Sequence, residues 1–484
     1  MLHSFDVAII GGGVVGSAIA RELSRYELSI AVLEANLDVV CEASGRNSAV
    51  VHGGFAYDRG SLKARLCVEG NRMMDHLSKE LGFRFIRSGK VLVGNTDEDL
   101  RQLEKTMAQG FDNGATGLEL IDEKKLHELV PAVNGKFAML SRNSGIMDPF
   151  LFTINLAENA AENGVKYFLG HEVLSIRKKD DRYIIHTDSD DFSAKWIFNA
   201  AGKEAKAVSD MLGITGYRVI GSKGNYLVLD KRLGPLLPMP VYPVPSNTYM
   251  GIHVTPTVDG NVTVGPDAVN TDDFEYYGVP ADKMEYLRES ASQLWPHIDK
   301  KDVIRTFSGI LSKWVDDKGV IQDFRIEVRD DIAPHAVNLI GIESPGLTAA
   351  VPIAQYAIEL MKDRCNLIEK KDFNPVHESV RRFADMSNEE KAAAIEKDPH
   401  YGLLVCSCEK VTEAEIIKAI HNPLGVHTLT GIKYRTRAMM GGCQAGLCQM
   451  KIENLIEKEL GIKPEDVRYM RESSWVLSGK MRED

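Results

Sequence analysis

"FDVAIIGGGVVGSAIARELSRYELSIAVLEA", residues 5–35, has the order strand, glycine turn, helix, strand. Val7 to Ile10 are an apolar run suited to a buried parallel strand. Gly11, Gly13 and Gly16 then satisfy G-x-G-x-x-G. The first glycine permits the tight turn and the second lets a pyrophosphate approach the backbone. The third brings the helix close to the strand, with the helix N-terminus facing the phosphates. The second strand, Ser29 to Leu33, ends in Glu34, eighteen residues after Gly16. A carboxylate there accepts hydrogen bonds from the adenosine ribose hydroxyls and disfavours a 2′-phosphate. Strand, helix and terminal acid are in register, so the segment reads as a dinucleotide site for FAD or NAD. A second glycine fingerprint is absent from the sequence, which argues against an additional NAD site.

A chain of 484 residues, 44% hydrophobic and 26% charged, has room for two or three domains. A net charge of −11 argues against nucleic acid as a partner and against a polybasic membrane anchor. The N-terminus runs straight into the first strand with no signal-peptide pattern, and no apolar run reaches the roughly 18–20 residues of a spanning helix. The expected location is the reducing cytoplasm, with peripheral contact at the inner membrane face through a partner left open. In that compartment clustered cysteines are metal ligands or redox groups rather than disulfides.

The stretch "CEASGRNSAVVHGGFAYDRGSLKARLCVEGNRMM", residues 41–74, separates the two cofactors. With "NYLVLD", "VYPVPSNTYMGIHVTPTVDGNVTVGPDAV" and "GIESPGLTAAVPIA" it resembles the FAD-dependent D-amino-acid-oxidase-like superfamily over residues 1 to about 365. Within it the body is similar to L-2-hydroxyglutarate dehydrogenases and to the large subunit of anaerobic glycerol-3-phosphate dehydrogenase. The resemblance implies an α/β, Rossmann-like FAD-binding domain (about 1–80, 145–215 and 330–365). An antiparallel-sheet substrate domain (about 81–144 and 216–329) interleaves with it along the chain.

The resemblance also implies site residues. Ser44, Arg46, Asn47 and Ser48 match the loop under the flavin and pyrophosphate. Val173 matches the position whose backbone meets the adenine, and Ala201 with Gly202 would let the cofactor approach. Strand Val337–Ile342 leads to a helix whose first residues, Gly346, Leu347 and Thr348, would point backbone donors at the flavin. Read alone, these stretches are a polar loop, a strand and turn, and a buried helix.

Oxidising a secondary alcohol needs a base for the hydroxyl proton while hydride leaves carbon. Histidine suits that task, and among thirteen histidines His52 in "VVHGGFAY" and His253 in "GIHVTP" are the candidates. Lys223 matches a basic residue that would meet an anionic substrate. In "IRTFSGILSKW" the relatives carry arginine shortly after "SG". Here Leu311 stands in that place, leaving Arg305 and Lys313 as the cations.

Residues 366–400 are charged and low in large apolar side chains, and Ser387 with Glu390 forms a capping box, so a surface-wrapping linker is expected. Four of the seven cysteines follow: Cys406 and Cys408, then Cys443 and Cys448. Thr412 and Glu415 make a second capping box after the first pair. Four thiolates from two loops bind Zn²⁺ or a [2Fe–2S] cluster, and neither pair has zinc-ribbon C-x2-C spacing. "VCSCEKVTEAEI…GIKYRTRAMMGGCQAGLCQ" resembles the bacterioferritin-associated-ferredoxin-like [2Fe–2S] domain, which implies a small helical module over 401–455 and a tail over 456–484. Lys433, Arg435 and Arg437 read as offsetting cluster charge, meeting an acidic partner, or forming a solvated face. Cys41, Cys67 and Cys365 are isolated and read as inert.

The expected activity is oxidation of glycerol 3-phosphate to dihydroxyacetone phosphate, with electrons passing from flavin through the cluster to a protein subunit or quinone-linked acceptor. An L-2-hydroxy acid is the alternative substrate and an amine or amino acid the third. A reading of another class makes the chain a non-catalytic redox scaffold with a zinc-bound docking module.

Overall fold

Gly11 adopts φ +101°, and a Cβ there would sit 2.5 Å from the carbonyl oxygen of Ala200. A Cβ on Gly16 would lie 1.9 Å from the Gly11 carbonyl oxygen, so the helix packs as close to the turn as the fingerprint implies. In this computed structural model, which describes residues 1–245 and 251–479, the fingerprint folds as strand Leu2–Ile10, helix Val14–Leu23 and strand Ile30–Glu34. The first strand begins earlier than its apolar run because Leu2–Phe5 pair with Asp191–Ala194.

Strands Leu2–Ile10, Ile30–Glu34, Lys166–Leu169, Asp191–Asn199 and Ala336–Ile340 pair in parallel. An antiparallel extension from Val173–Lys179 and Arg182–Thr187 completes one flank of the sheet. Helices Val14–Leu23, Pro149–Glu162 and Gly346–Lys362 bury Ile19, Leu156 and Ile353 in a core shared with Val7, Ile9 and Val32. Parallel strands covered in this way are apolar on both faces, which is why Ile30–Glu34 is buried throughout.

A second sheet, nine-stranded among the described residues, lies beside the first. Its longest hairpin pairs Arg218–Leu229 with Val303–Val315. Strand Lys90–Gly94 enters from far upstream in sequence and pairs in parallel with Val241–Pro243. The two sheets therefore exchange chain segments. The strand expected over residues 249–256 begins outside the described residues, and its described part is Val254–Pro256. The tail expected over 456–484 likewise ends outside them.

Residues 366–382 cross the surface of the first sheet's helices. Arg21 donates to the Pro375 carbonyl, and His377 sits between Glu158 and Glu162. Both capping boxes form: Ser387 opens helix Asn388–Lys397 and Thr412 opens helix Glu413–Ile420. The C-terminal module adds helices Leu429–Thr436 and Gln449–Leu460 around its own core of Val405, Ile416, Ile432, Ile452 and Ile456. The fold is a mixed α/β cofactor-binding body with a small helical C-terminal domain. Among the described residues no helix is long and apolar enough to cross a membrane.

Candidate functional site

A cavity of about 700 Å³ opens where the two sheets meet. One wall is the glycine turn and the loop after the second strand. Val14 N–H donates to Ser44 Oγ at 2.9 Å, so the loop is tied to the helix N-terminus. Gly12 N–H donates to Glu34 Oε2 at 2.7 Å, and Asn36 donates twice to Oε1. Burial pushes the Glu34 carboxyl above its ordinary range, and these three donors oppose the shift. Asn47 Nδ2 donates to the carbonyls of Ala43 and Ser44, and the Arg46 guanidinium lies 4.2 Å from the centre of the Tyr277 ring.

The opposite wall is the N-terminus of helix Gly346–Lys362. Gly346 and Leu347 line the cavity, while Thr348 is fully buried behind them and accepts the His52 N–H at 3.1 Å. Gly346 N–H is already taken by the Glu343 carbonyl, so what this helix end offers a developing negative charge is its dipole.

His52 and His253 both line the cavity. Burial, with the Lys90 ammonium adding to it, pulls the His52 imidazole down to about 3 and His253 well below its ordinary value. Both rings are therefore neutral near pH 7. His253 Nδ1 pairs with Thr255 Oγ1 at 3.0 Å, and its ring stacks on Tyr242 at 3.8 Å. His52 is anchored through its backbone: its carbonyl accepts from Asn71 Nδ2 at 2.9 Å.

Of the residues expected from sequence, Gly13, Ser44, Arg46, Asn47 and Ser48 line this cavity, as do His52, Gly202, His253, Lys313, Gly346 and Leu347. Gly11, Gly16 and Glu34 lie directly behind the turn, and Ala201 adjoins the lining residue Ala200. Val173 does not line the cavity; it opens strand Val173–Lys179, two residues after His171, whose N–H donates to the Glu34 carbonyl.

Two expected substrate cations are not brought there. Ser222 and Gly224 line the cavity, so the pleat turns Lys223 to the other face, where Nζ donates to the Gly278 carbonyl at 2.6 Å. Arg305 is on the same strand as Lys313 but eight residues away, ~26 Å at strand rise. It is exposed and donates to Gln444 Oε1 at 2.9 Å. Sequence reasoning missed Lys90, Phe55 and Tyr242, all lining the cavity. The signal for Lys90 was a charged residue heading the apolar run "KVLVG", which alone reads as a strand end.

The four clustered cysteines gather as two pairs, Cys406 with Cys448 and Cys408 with Cys443. Hydrogen bonding between the Cys406 and Cys448 thiols pulls Cys406 below its ordinary value and pushes Cys448 up. Among the described residues no three His, Cys, Asp or Glu groups gather to hold a single ion. A pairwise thiol set suits a binuclear cluster, in which each iron takes two thiolates. The loops are tight: a Cβ on Gly441 would lie 2.2 Å from Cys408 Cβ.

The basic run before the second pair divides its work. Arg435 is buried against Asp38 and Glu158 of the body, each at 2.7 Å. Arg437 meets Asp259 at 2.6 Å and Glu409 at 3.2 Å. These two arginines therefore dock the domain rather than face a partner. Lys433 is buried without an ion pair among the described residues, and burial pulls it down to about 7.

Residues 6–360 match the FAD dependent oxidoreductase family, and residues 404–458 match the BFD-like [2Fe-2S] binding domain. A glycerol 3-phosphate dehydrogenase of Caloramator mitchellensis is 37% identical over 483 residues, covering 99% of each chain. The mitochondrial L-2-hydroxyglutarate dehydrogenase of Caenorhabditis briggsae is 28% identical, covering 73% of this chain and 92% of that one. The structure of the L-α-glycerophosphate oxidase of Mycoplasma pneumoniae with FAD bound is 28% identical with a TM-score of 0.73, covering 78% of this chain and 98% of that chain. The glycine cradle, the loop donors and the helix end fit FAD, and the paired thiols fit the cluster. The [2Fe-2S] match sets aside the reading of a zinc-bound docking module. The chain belongs to the FAD-dependent oxidoreductase family and carries a C-terminal [2Fe–2S] domain as its second redox centre.

Proposed function

We propose that this enzyme oxidises glycerol 3-phosphate to dihydroxyacetone phosphate and passes the electrons through its [2Fe–2S] domain to a separate acceptor. The observation that carries the reading is co-extension. The 37% identical glycerol 3-phosphate dehydrogenase matches 99% of the chain, cluster domain included, whereas the first L-2-hydroxyglutarate dehydrogenases cover only 73–75%.

Gly11, Gly13 and Gly16 would hold the FAD pyrophosphate, with Glu34 at the ribose and Ser44, Arg46, Asn47 and Ser48 beneath the flavin. FAD, when bound, supplies the hydride acceptor. His52, neutral and free of side-chain hydrogen bonds among the described residues, takes the hydroxyl proton as the C–H bond breaks. His253, fixed by Thr255 and Tyr242, orients the same hydroxyl. Lys313 offers a cation at the wall. An anion entering the cavity would offset the Lys90 charge, the lesser of the two causes of the His52 shift, burial being the larger.

Cys406, Cys408, Cys443 and Cys448 would ligate the cluster. Strand Val303–Val315 joins the two centres. Arg305 touches Gln444 of the cluster loop, and Gly309, four residues on or ~13 Å, lines the cavity. A two-electron flavin that must release electrons singly gains from such a neighbour.

The L-2-hydroxy acid reading keeps support from the body matches at 26–28% identity. Anaerobic flavin bleaching with glycerol 3-phosphate beside a panel of L-2-hydroxy acids separates the two. Rapid bleaching by glycerol 3-phosphate is expected. Bleaching by a hydroxy acid alone would replace it as substrate.

A further inference from the structure

Lys90 heads strand Lys90–Gly94, is 1% exposed, and contributes to the cavity lining. Its Nζ lies 4.7 Å from the centre of the Phe55 ring and 4.4 Å from that of Tyr242. Among the described residues nothing else holds it: no hydrogen bond and no carboxylate reaches Nζ. Its neighbours differ in this respect. Lys63, also on the cavity, closes on Glu343 at 2.8 Å, and Arg46 donates to the Cys41 carbonyl.

A buried ammonium without a counter-charge is expensive, and aromatic faces offset only part of that cost. The remaining compensation has to come from the cavity that Lys90 lines. The same Tyr242 ring that carries the ammonium also carries His253. Cation and candidate catalytic histidine are thus held on one rigid aromatic support.

We propose that Lys90 is the anion-binding group of this cavity, its Nζ taking the phosphate or carboxylate oxygens of the substrate in an ion pair that exists only in the complex. This rests on the reading that the substrate is an anionic alcohol. It gives Lys90 a positioning role, since binding the anionic end fixes where the alcohol carbon lies relative to His52. The depressed pKa of Lys90, pulled to about 8 by burial, agrees with an ammonium awaiting a counter-ion.

The test uses FAD-loaded protein bearing Lys90→Met or Lys90→Arg. Anaerobic bleaching is followed against concentration of glycerol 3-phosphate and of L-2-hydroxyglutarate, and inorganic phosphate is titrated against the oxidised-flavin spectrum. Lys90→Met is expected to raise half-saturation by ~10- to 100-fold, the range of a lost charge-assisted hydrogen bond, with a much smaller change in limiting rate. Phosphate binding should weaken by a similar factor, and Lys90→Arg should restore part of both. Unchanged half-saturation would overturn the proposal. So would a collapsed limiting rate at unchanged half-saturation, which would assign Lys90 to proton transfer. If neither alcohol bleaches wild-type flavin, the substrate reading fails while the phosphate titration still judges Lys90. A wild-type protein that binds no phosphate and no anionic alcohol would overturn both. Should Lys90→Met fail to retain flavin, the same measurements on Lys90→Arg decide, with unaltered anion affinity and dependence of rate counting against the assignment.

Discussion

Arg435 Nη1 lies 2.7 Å from Asp38 Oδ2, joining residues 397 apart in sequence, and both side chains are almost wholly buried. The guanidinium also donates through Nε to Glu158, whose carboxyl burial would push up but which Arg435 and His377 hold below its ordinary range. Two anions of the flavin body are thus bridged by one guanidinium of the cluster domain, with His377 also meeting Glu158. Phe150 and Tyr434 stack at 4.3 Å beside them. The joint between redox domains is a dry ionic lock, not a loose tether.

Removing Arg435 leaves buried Asp38 without its ion pair and Glu158 with His377 alone, a loss of about 3–5 kcal/mol. Arg435→Met is expected to expose the linker to protease and to slow cluster reduction while flavin bleaching persists. Arg435→Lys should recover little, since a point charge cannot serve Asp38 and Glu158 together. Protease resistance equal to wild type would refute the lock.

Lys90 carries a stability prediction separate from binding. Its folded pKa is about 8 and its unfolded value 10.5, so below pH 8 the native state bears a disfavoured ammonium. The penalty is about 3 kcal/mol there and fades as pH rises toward 10.5. FAD-free Lys90→Met should therefore be more stable than wild type in guanidinium at pH 7, with the gain shrinking at pH 10. Identical midpoints at both pH values would contradict an unpaired buried charge.

Gly441→Ala should disrupt the cysteine loops, because its Cβ would overlap Cys408 Cβ. Iron and sulfide per chain are expected to fall while flavin content holds. Gly402→Ala serves as control, as its Cβ meets nothing closer than 3.7 Å. Full cluster occupancy in Gly441→Ala would mean the loop has slack that this packing denies.

His52→Gln removes the proposed base and should slow bleaching ~100- to 10,000-fold with little change in half-saturation. His253→Asn is expected to cost less. The reverse order would exchange their roles.

The glycine fingerprint was legible in sequence because its geometry is local: three glycines, one helix and one acid lie within thirty residues. The capping boxes at Ser387 and Thr412 were legible for the same reason. The loop from Ser44 to Ser48, singled out by its family resemblance, lines the cavity. Strand parity was not legible. Lys223 and Lys313 look alike in sequence, yet only Lys313 reaches the cavity, because the pleat and the register with the partner strand decide which face each side chain takes.

The sequence by itself determined the two redox modules and their order, since each rests on contiguous motifs whose backbone demands are short-range. Tertiary structure alone decided where the charges went. Arg435 and Arg437 were spent on Asp38, Glu158 and Asp259, Arg305 turned toward the cluster loop, and Lys90 was left facing the cavity with no counter-ion among the described residues. An ion pair depends on approach across hundreds of residues, and no local pattern encodes that distance.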